Sequence, residues 1–216
     1  MSTTTVGIKL EEQFESEQQQ RETAKLGMWT FLATELLLFS GMFISALVIR
    51  TLHPDSVTAV ALHLKYWIGA TNTAVLILSS FCMSVAIEAS RVGAQRIMLR
   101  AMLLTAGLGV LFMCLKGYEY YRDYAEHMTP FLHWRRYELV GDPASRLFTD
   151  LYFIITGLHA IHLTIGIAIV LVMSWLASKA DFLQKHQNRI EIVGLYWHFI
   201  DLIWMIVFPT LYLLNR

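Results

Sequence analysis

The sequence predicts an all-α, polytopic membrane bundle with five transmembrane helices. Composition is the first reason. The 216 residues are 56% hydrophobic and only 16% charged, with a mean hydropathy of +0.49. That is too much apolar surface for a soluble domain of this size. The second reason is length. Five stretches, about 27–49, 66–88, 99–118, 149–177 and 193–214, are apolar enough to cross a membrane. Each has at least the ~20 residues that a helix needs to cross ~30 Å of hydrocarbon. The third is pattern. None of the five alternates with the period of two that a transmembrane strand requires.

The first 25 residues, "MSTTTVGIKLEEQFESEQQQRETAK", are polar and rich in Glu and Gln. They lack the apolar core of a signal peptide and are expected to form a tail outside a 26–216 membrane domain. The first helix carries "WTFLATELLLFSGMF", with Glu35 deep in an apolar run. At a rise of about 1.5 Å per residue, Glu35 lies near the bilayer midplane. The second and third helices contain Cys82 and Cys114. These form no CxxC pair, so a buried packing role is expected for both. A long connection, 119–148, follows. The fourth helix brings His159 and His162 to a similar depth. With Gly166 they share one face, while Ala160, Thr164 and Ala168 form a small-residue stripe suited to close helix packing. On the fifth helix His198 and Asp201 are three apart and can pair. Pro209 is placed to kink that helix near its end. Trp29, Trp67, Trp175 and Tyr152 sit where an interfacial aromatic belt would place them.

Lys25, Arg21, Arg91, Arg96, Arg100, Lys179, Lys185 and Arg189 fall on one set of connections, and Arg50, Lys65 and Arg216 on the other. The 119–148 connection adds Arg122, Arg135, Arg136 and Arg146 to the second set. The balance favours the N-terminus inside and the C-terminus outside. Formal net charge is zero and the pI near 7.1, which gives no basic surface for nucleic acid. No HEXXH, GxGxxG or Walker motif is present.

Intramembrane ionisable groups are costly and mark candidate sites. The set read here is Glu35, His159, His162, His198 and Asp201. Glu35 either has a partner, holds a proton or faces something other than lipid. The histidines serve either as interhelical hydrogen-bonding groups or as haem ligands, with His162 and His198 the pair nearest to a bis-histidine geometry.

Five segments carry a resemblance. They are "KLGMWTFLATELLLFSG", "NTAVLILSS", "GYEYYRD", "TGLHAIHLTIG" and "YWHFIDLIWMIVFPTLYLL". Together, and in this order, they resemble subunit III of the haem-copper terminal oxidases in its short five-helix form. The resemblance spans Lys25 to Tyr212 and adds Asn72, Glu119, Trp197 and Trp204 as secondary motif positions.

The resemblance implies a non-catalytic subunit of a proton-translocating oxygen reductase in the bacterial inner membrane. Haem and copper would reside in subunits I and II. This chain would pack on subunit I, hold phospholipid, and support sustained turnover and proton uptake. Glu35 matches the family's carbodiimide-reactive carboxyl, near the subunit I interface and a proposed oxygen route. It would then be a neutral acid at that interface. His159, His162, His198 and Asp201 carry over as a structural or lipid-cleft set, not as metal ligands. Two departures are visible. The first two helices of the longer family form are missing, which puts a lipid cleft within this chain alone in doubt. The 119–148 connection is long, and its Trp134, Arg135 and Arg136 could dock subunit II or a cytochrome. Rival readings are a subunit-III-like partner of a nitric oxide reductase, a haem b membrane anchor, and a small solute carrier.

Overall fold

A computed structural model describes residues 16–61, 66–125, 142–179 and 182–213. The described chain is helical throughout apart from its turns. Its elements are α1 (Glu17–Leu52), α2 (Pro54–Ala61), α3 (Tyr66–Arg91), α4 (Gln95–Ala125), α5 (Pro143–Ala177) and α6 (Phe182–Phe208), which ends in one π-helical turn (Pro209–Leu213). Five of these, all but α2, are long and apolar enough to span a membrane.

α3, α4, α5 and α6 form the central bundle. α3 packs along both α4 and α6, and α5 also touches both of those helices. α1 lies outside this group against α5 and α6, and the short α2 bridges α1 to α5. The outward faces carry large apolar side chains such as Leu37, Ile44, Phe81, Leu104 and Ile161. In a bilayer these contact acyl chains, so cohesion between helices rests on close packing and polar contacts rather than on escape from water. Glycines supply the close packing. A Cβ at Gly109 would lie 2.9 Å from Trp197 Cη2, and one at Gly166 would lie 2.9 Å from Ile200 Cδ1.

The helix ends explain where the structure departs from expectation. α1 begins at Glu17, well inside the segment expected to be a tail, because Ser16 caps it by accepting from the Gln19 N–H at 3.2 Å. Its 36 residues make a rod of about 54 Å, longer than the ~30 Å hydrocarbon core. α4 runs on to Ala125, so Glu119 is helical and the connection is shorter than expected. Trp134, Arg135 and Arg136 lie outside the described residues. α3 turns into α4 at Gly93, whose φ of +73° is the left-handed conformation that glycine accepts without strain. At the far end of α6, Pro209 lacks the N–H that an α-helical turn needs, and the chain continues as π-helix.

Other expectations are corrected by orientation. Cys114 is exposed on the lipid face of α4 and Cys82 is only half-buried. The stripe of Ala160, Thr164 and Ala168 faces outward, with Thr164 and Ala168 exposed and Ala160 half-buried. Trp29, Trp67 and Trp175 are exposed, whereas Tyr152 is buried in the bundle.

One end of the bundle is tied by charges. Glu191 on α6 receives Lys25 of α1 at 3.0 Å and Arg91 of α3 at 3.3 Å. Nearby, Gln95 Nε2 donates to the Ala177 carbonyl at 2.7 Å and links α4 to α5.

Candidate functional site

The predicted polar residues separate into three neighbourhoods. The first joins α1 to α5. His162 Nε2 lies 3.0 Å from Glu35 Oε2, and both side chains are mostly buried. The Phe39 ring packs edge-on against His162. The depth match expected from the sequence is therefore a direct bond. His162 Nδ1 sits 2.8 Å from the Leu158 carbonyl oxygen. A carbonyl only accepts, so Nδ1 carries a hydrogen. The Nε2–Oε2 bond then needs one further proton, either on Glu35 as a neutral acid or on His162 as an imidazolium. The pair is electrically neutral in both cases, which reconciles a carboxyl with its apolar surroundings.

This pair opens onto a cavity of about 380 Å³ between α1, α5 and α6. Met28, Phe31, Ile165, Ile169, Val193 and Tyr196 complete its lining. The Tyr196 hydroxyl donates to the His162 carbonyl at 3.3 Å. The cavity is an apolar groove with one polar, proton-bearing spot.

The second neighbourhood centres on Trp204, which is fully buried. Its Nε1–H donates to Thr73 Oγ1 at 3.1 Å. Phe112 crosses its ring at 89°, and the His159 ring lies 5.1 Å away. Asn72, next to Thr73 on α3, and Asp201, one helical turn before Trp204 on α6, are also buried. Trp197 is held in the same way one level along, donating to Ser79 Oγ at 3.2 Å.

The expected His198–Asp201 pair does not form. His198 Nδ1 bonds Ser80 Oγ at 2.7 Å, with Ser84 Oγ at 3.5 Å from its other nitrogen. Both serines are on α3. Three-residue spacing allowed the two side chains to meet, but α3 offers His198 a hydroxyl instead. His162 and His198 likewise engage different helices, α1 and α3, so the geometry does not bring them to a shared ligand.

Of the third neighbourhood the sequence reading holds Glu119, as a secondary motif position, but not its partner Lys116. Lys116 is buried in the bundle with Glu119, and Nζ lies 2.9 Å from Oε2. Lys116 also donates to Tyr212 at 2.7 Å and Tyr152 at 3.2 Å. Both tyrosine hydroxyls reach Glu119 Oε1, at 2.7 and 3.2 Å, and each other at 2.9 Å. The ammonium lies about 5 Å from the Trp204 ring centre, as a cation–π contact requires. The signal was present, since Lys116 and Glu119 stand three apart at the end of an apolar run. Ending the third span at residue 118 hid it. Among the described residues no group of three His, Cys, Asp or Glu side chains is arranged to hold a metal ion.

Five spans and internal polar clusters that bind helix to helix define a polytopic helical membrane protein, with one proton-bearing pair open to its surface. The chain matches the family described as Cytochrome c oxidase subunit III over residues 8–216, and it belongs to that family. It is 31% identical to cytochrome c oxidase subunit 3 of Thermostichus vulcanus, over 88% of this chain and 87% of that protein. It is 26% identical to a probable quinol oxidase subunit 3 of Staphylococcus haemolyticus, over 93% and 94% of the two chains. It is also 26% identical to cytochrome c oxidase subunit 3 of Loxodonta africana, where 89% of this chain covers 70% of the other. The protein is thus a multi-pass plasma-membrane component of a multi-subunit oxidase of the haem-copper family.

Proposed function

We propose that this chain is the accessory subunit III of a respiratory oxygen reductase of the cytochrome c oxidase type. It packs on subunit I, with subunit II and small subunits completing the complex. It binds phospholipid and supports oxygen or proton access while its partners reduce oxygen to water and pump protons. Its N-terminus lies inside and its C-terminus outside. The grouping of Lys25 and Arg91 at one end of the bundle supports that orientation. The cytochrome c type is favoured over the quinol type by the 31% identity to the Thermostichus protein. Haem and copper belong to the partner subunits in this reading; of the three intramembrane histidines, His162 bonds Glu35, His198 bonds Ser80, and the His159 ring packs against Phe112 and Trp204.

The observation that carries the reading is the Glu35–His162 pair at the wall of an apolar groove. The groove suits an acyl chain or a small apolar molecule. The pair gives it one exchangeable proton without a net charge. Replacing Glu35 by Gln keeps the shape and a donor for His162 Nε2, but removes the acid.

Glu35→Gln is therefore expected to leave assembly and initial oxygen reduction intact and to abolish carbodiimide labelling of this chain. Subunit content, oxygen-electrode rates and mass spectrometry of the labelled complex measure this. An assembled Glu35→Gln complex with no turnover would contradict the accessory role and make Glu35 an obligatory proton relay.

A further inference from the structure

The outward face shared by α3 and α6 is apolar except at one level. Ile77, Phe81 and Ser84 follow one another at four- and three-residue spacing on α3, and His198, Leu202 and Met205 do the same on α6. Phe81 is 64% exposed, and Ile77, Leu202 and Met205 are exposed with it. Ser84 is exposed too, and His198 is half-buried. These two polar residues meet across the helices. His198 Nδ1 lies 2.7 Å from Ser80 Oγ, and its Nε2 has Ser84 Oγ at 3.5 Å. The second distance is at the long limit of a hydrogen bond, and the Ser84 hydroxyl already donates to the Ser80 carbonyl at 3.1 Å.

Depth decides what can cover this polar notch. Ser84 stands seven residues from Arg91, and His198 stands seven from Glu191. Arg91 and Glu191 are themselves bonded at the charged end of the bundle. Both helices therefore put the notch about 10 Å from that end. A headgroup layer is about 5–8 Å thick, so the notch lies among acyl chains. Acyl chains offer no hydrogen bond, and a polar group that faces them is costly. A neutral hydroxyl or amide side chain both donates and accepts, and so suits either tautomer of His198. Such side chains join helices within membranes. Phe81 beside the notch supplies the large aromatic contact that interfaces favour.

We propose that the α3–α6 face around Phe81, Ser84 and His198 docks a transmembrane helix of another oxidase subunit, whose neutral hydroxyl or amide side chain bonds His198 Nε2 or Ser84 Oγ. The proposal rests on membership of a multi-subunit oxidase and not on the function assigned to the Glu35–His162 groove.

A photoreactive benzophenone side chain placed at Phe81 of the intact oxidase tests this. Irradiation in the native membrane is expected to join this chain to one other membrane-spanning subunit, identified by mass spectrometry. Adducts with lipid alone, or with a second copy of this chain, would overturn the proposal. The companion variant is Ser84→Phe. Its ring is harmless against acyl chains but wedges a packed interface apart. Retention of this chain in the complex, measured after a graded detergent challenge, should fall several-fold. Unchanged retention would also overturn the proposal. Should Ser84→Phe fail to accumulate in the membrane, the identity of the Phe81 adduct decides alone.

Discussion

Lys116→Met is expected to destabilise the subunit by about 3–5 kcal/mol and to cost the complex most of its subunit III. The reason is what it leaves behind. Glu119 would keep two tyrosine donors but lose the ammonium at 2.9 Å. Breaking a buried pair from one side costs about 3–5 kcal/mol, because an uncompensated charge remains. The double variant Lys116→Met/Glu119→Met removes both charges and leaves the tyrosine hydroxyls bonded to each other at 2.9 Å. Apolar replacement of a whole buried pair is often nearly neutral. The double variant should therefore recover at least half of the loss. Subunit III retention after a graded thermal challenge in detergent measures both. A double variant as damaging as the two single losses added together would show that the ion pair is not the unit of stability.

Trp204→Ala should cost about 3–5 kcal/mol, the range for truncating a buried aromatic. The lower end is expected here, because apolar transfer gives little driving force within lipid and the loss is one of packing. What disappears is specific. The ring fills the space between Phe112 and His159, carries the Lys116 contact, and anchors α6 to α3 through Thr73. Trp204→Phe keeps a ring and loses the N–H bond, for about 1 kcal/mol. The same thermal challenge separates the two variants. Equal behaviour of the Phe and Ala variants would assign the stabilisation to the Thr73 bond rather than to the ring.

The spans were legible because length and hydropathy are local properties of the chain. Their ends were less so. Windowed hydropathy stops at the first polar residues, yet α1 continues back to a serine cap at Ser16 and α4 continues past Lys116 and Glu119. Depth was also legible, since Glu35 and His162 were expected level with one another and are bonded. Helical spacing did not reveal which neighbour each face meets. His198 and Asp201 had the spacing to pair, but the partner was fixed by Ser80 on another helix. The small-residue stripe on α5 had the pattern of a packing face and points outward. Tyr152 had the position of a belt residue and turns inward to Lys116. Each of these outcomes depends on how α5 and α6 rotate against α3 and α4, which no single segment encodes.

Family membership leaves one central question, whether this chain works as an accessory beside redox subunits. Purifying the tagged chain in mild detergent, with an optical spectrum before and after its partners are stripped away, is the most direct measurement. The expected result is co-purification with the other oxidase subunits, haem absorption in the assembled complex, and none in the separated chain. A Soret band at stoichiometric haem in the chain alone would contradict it.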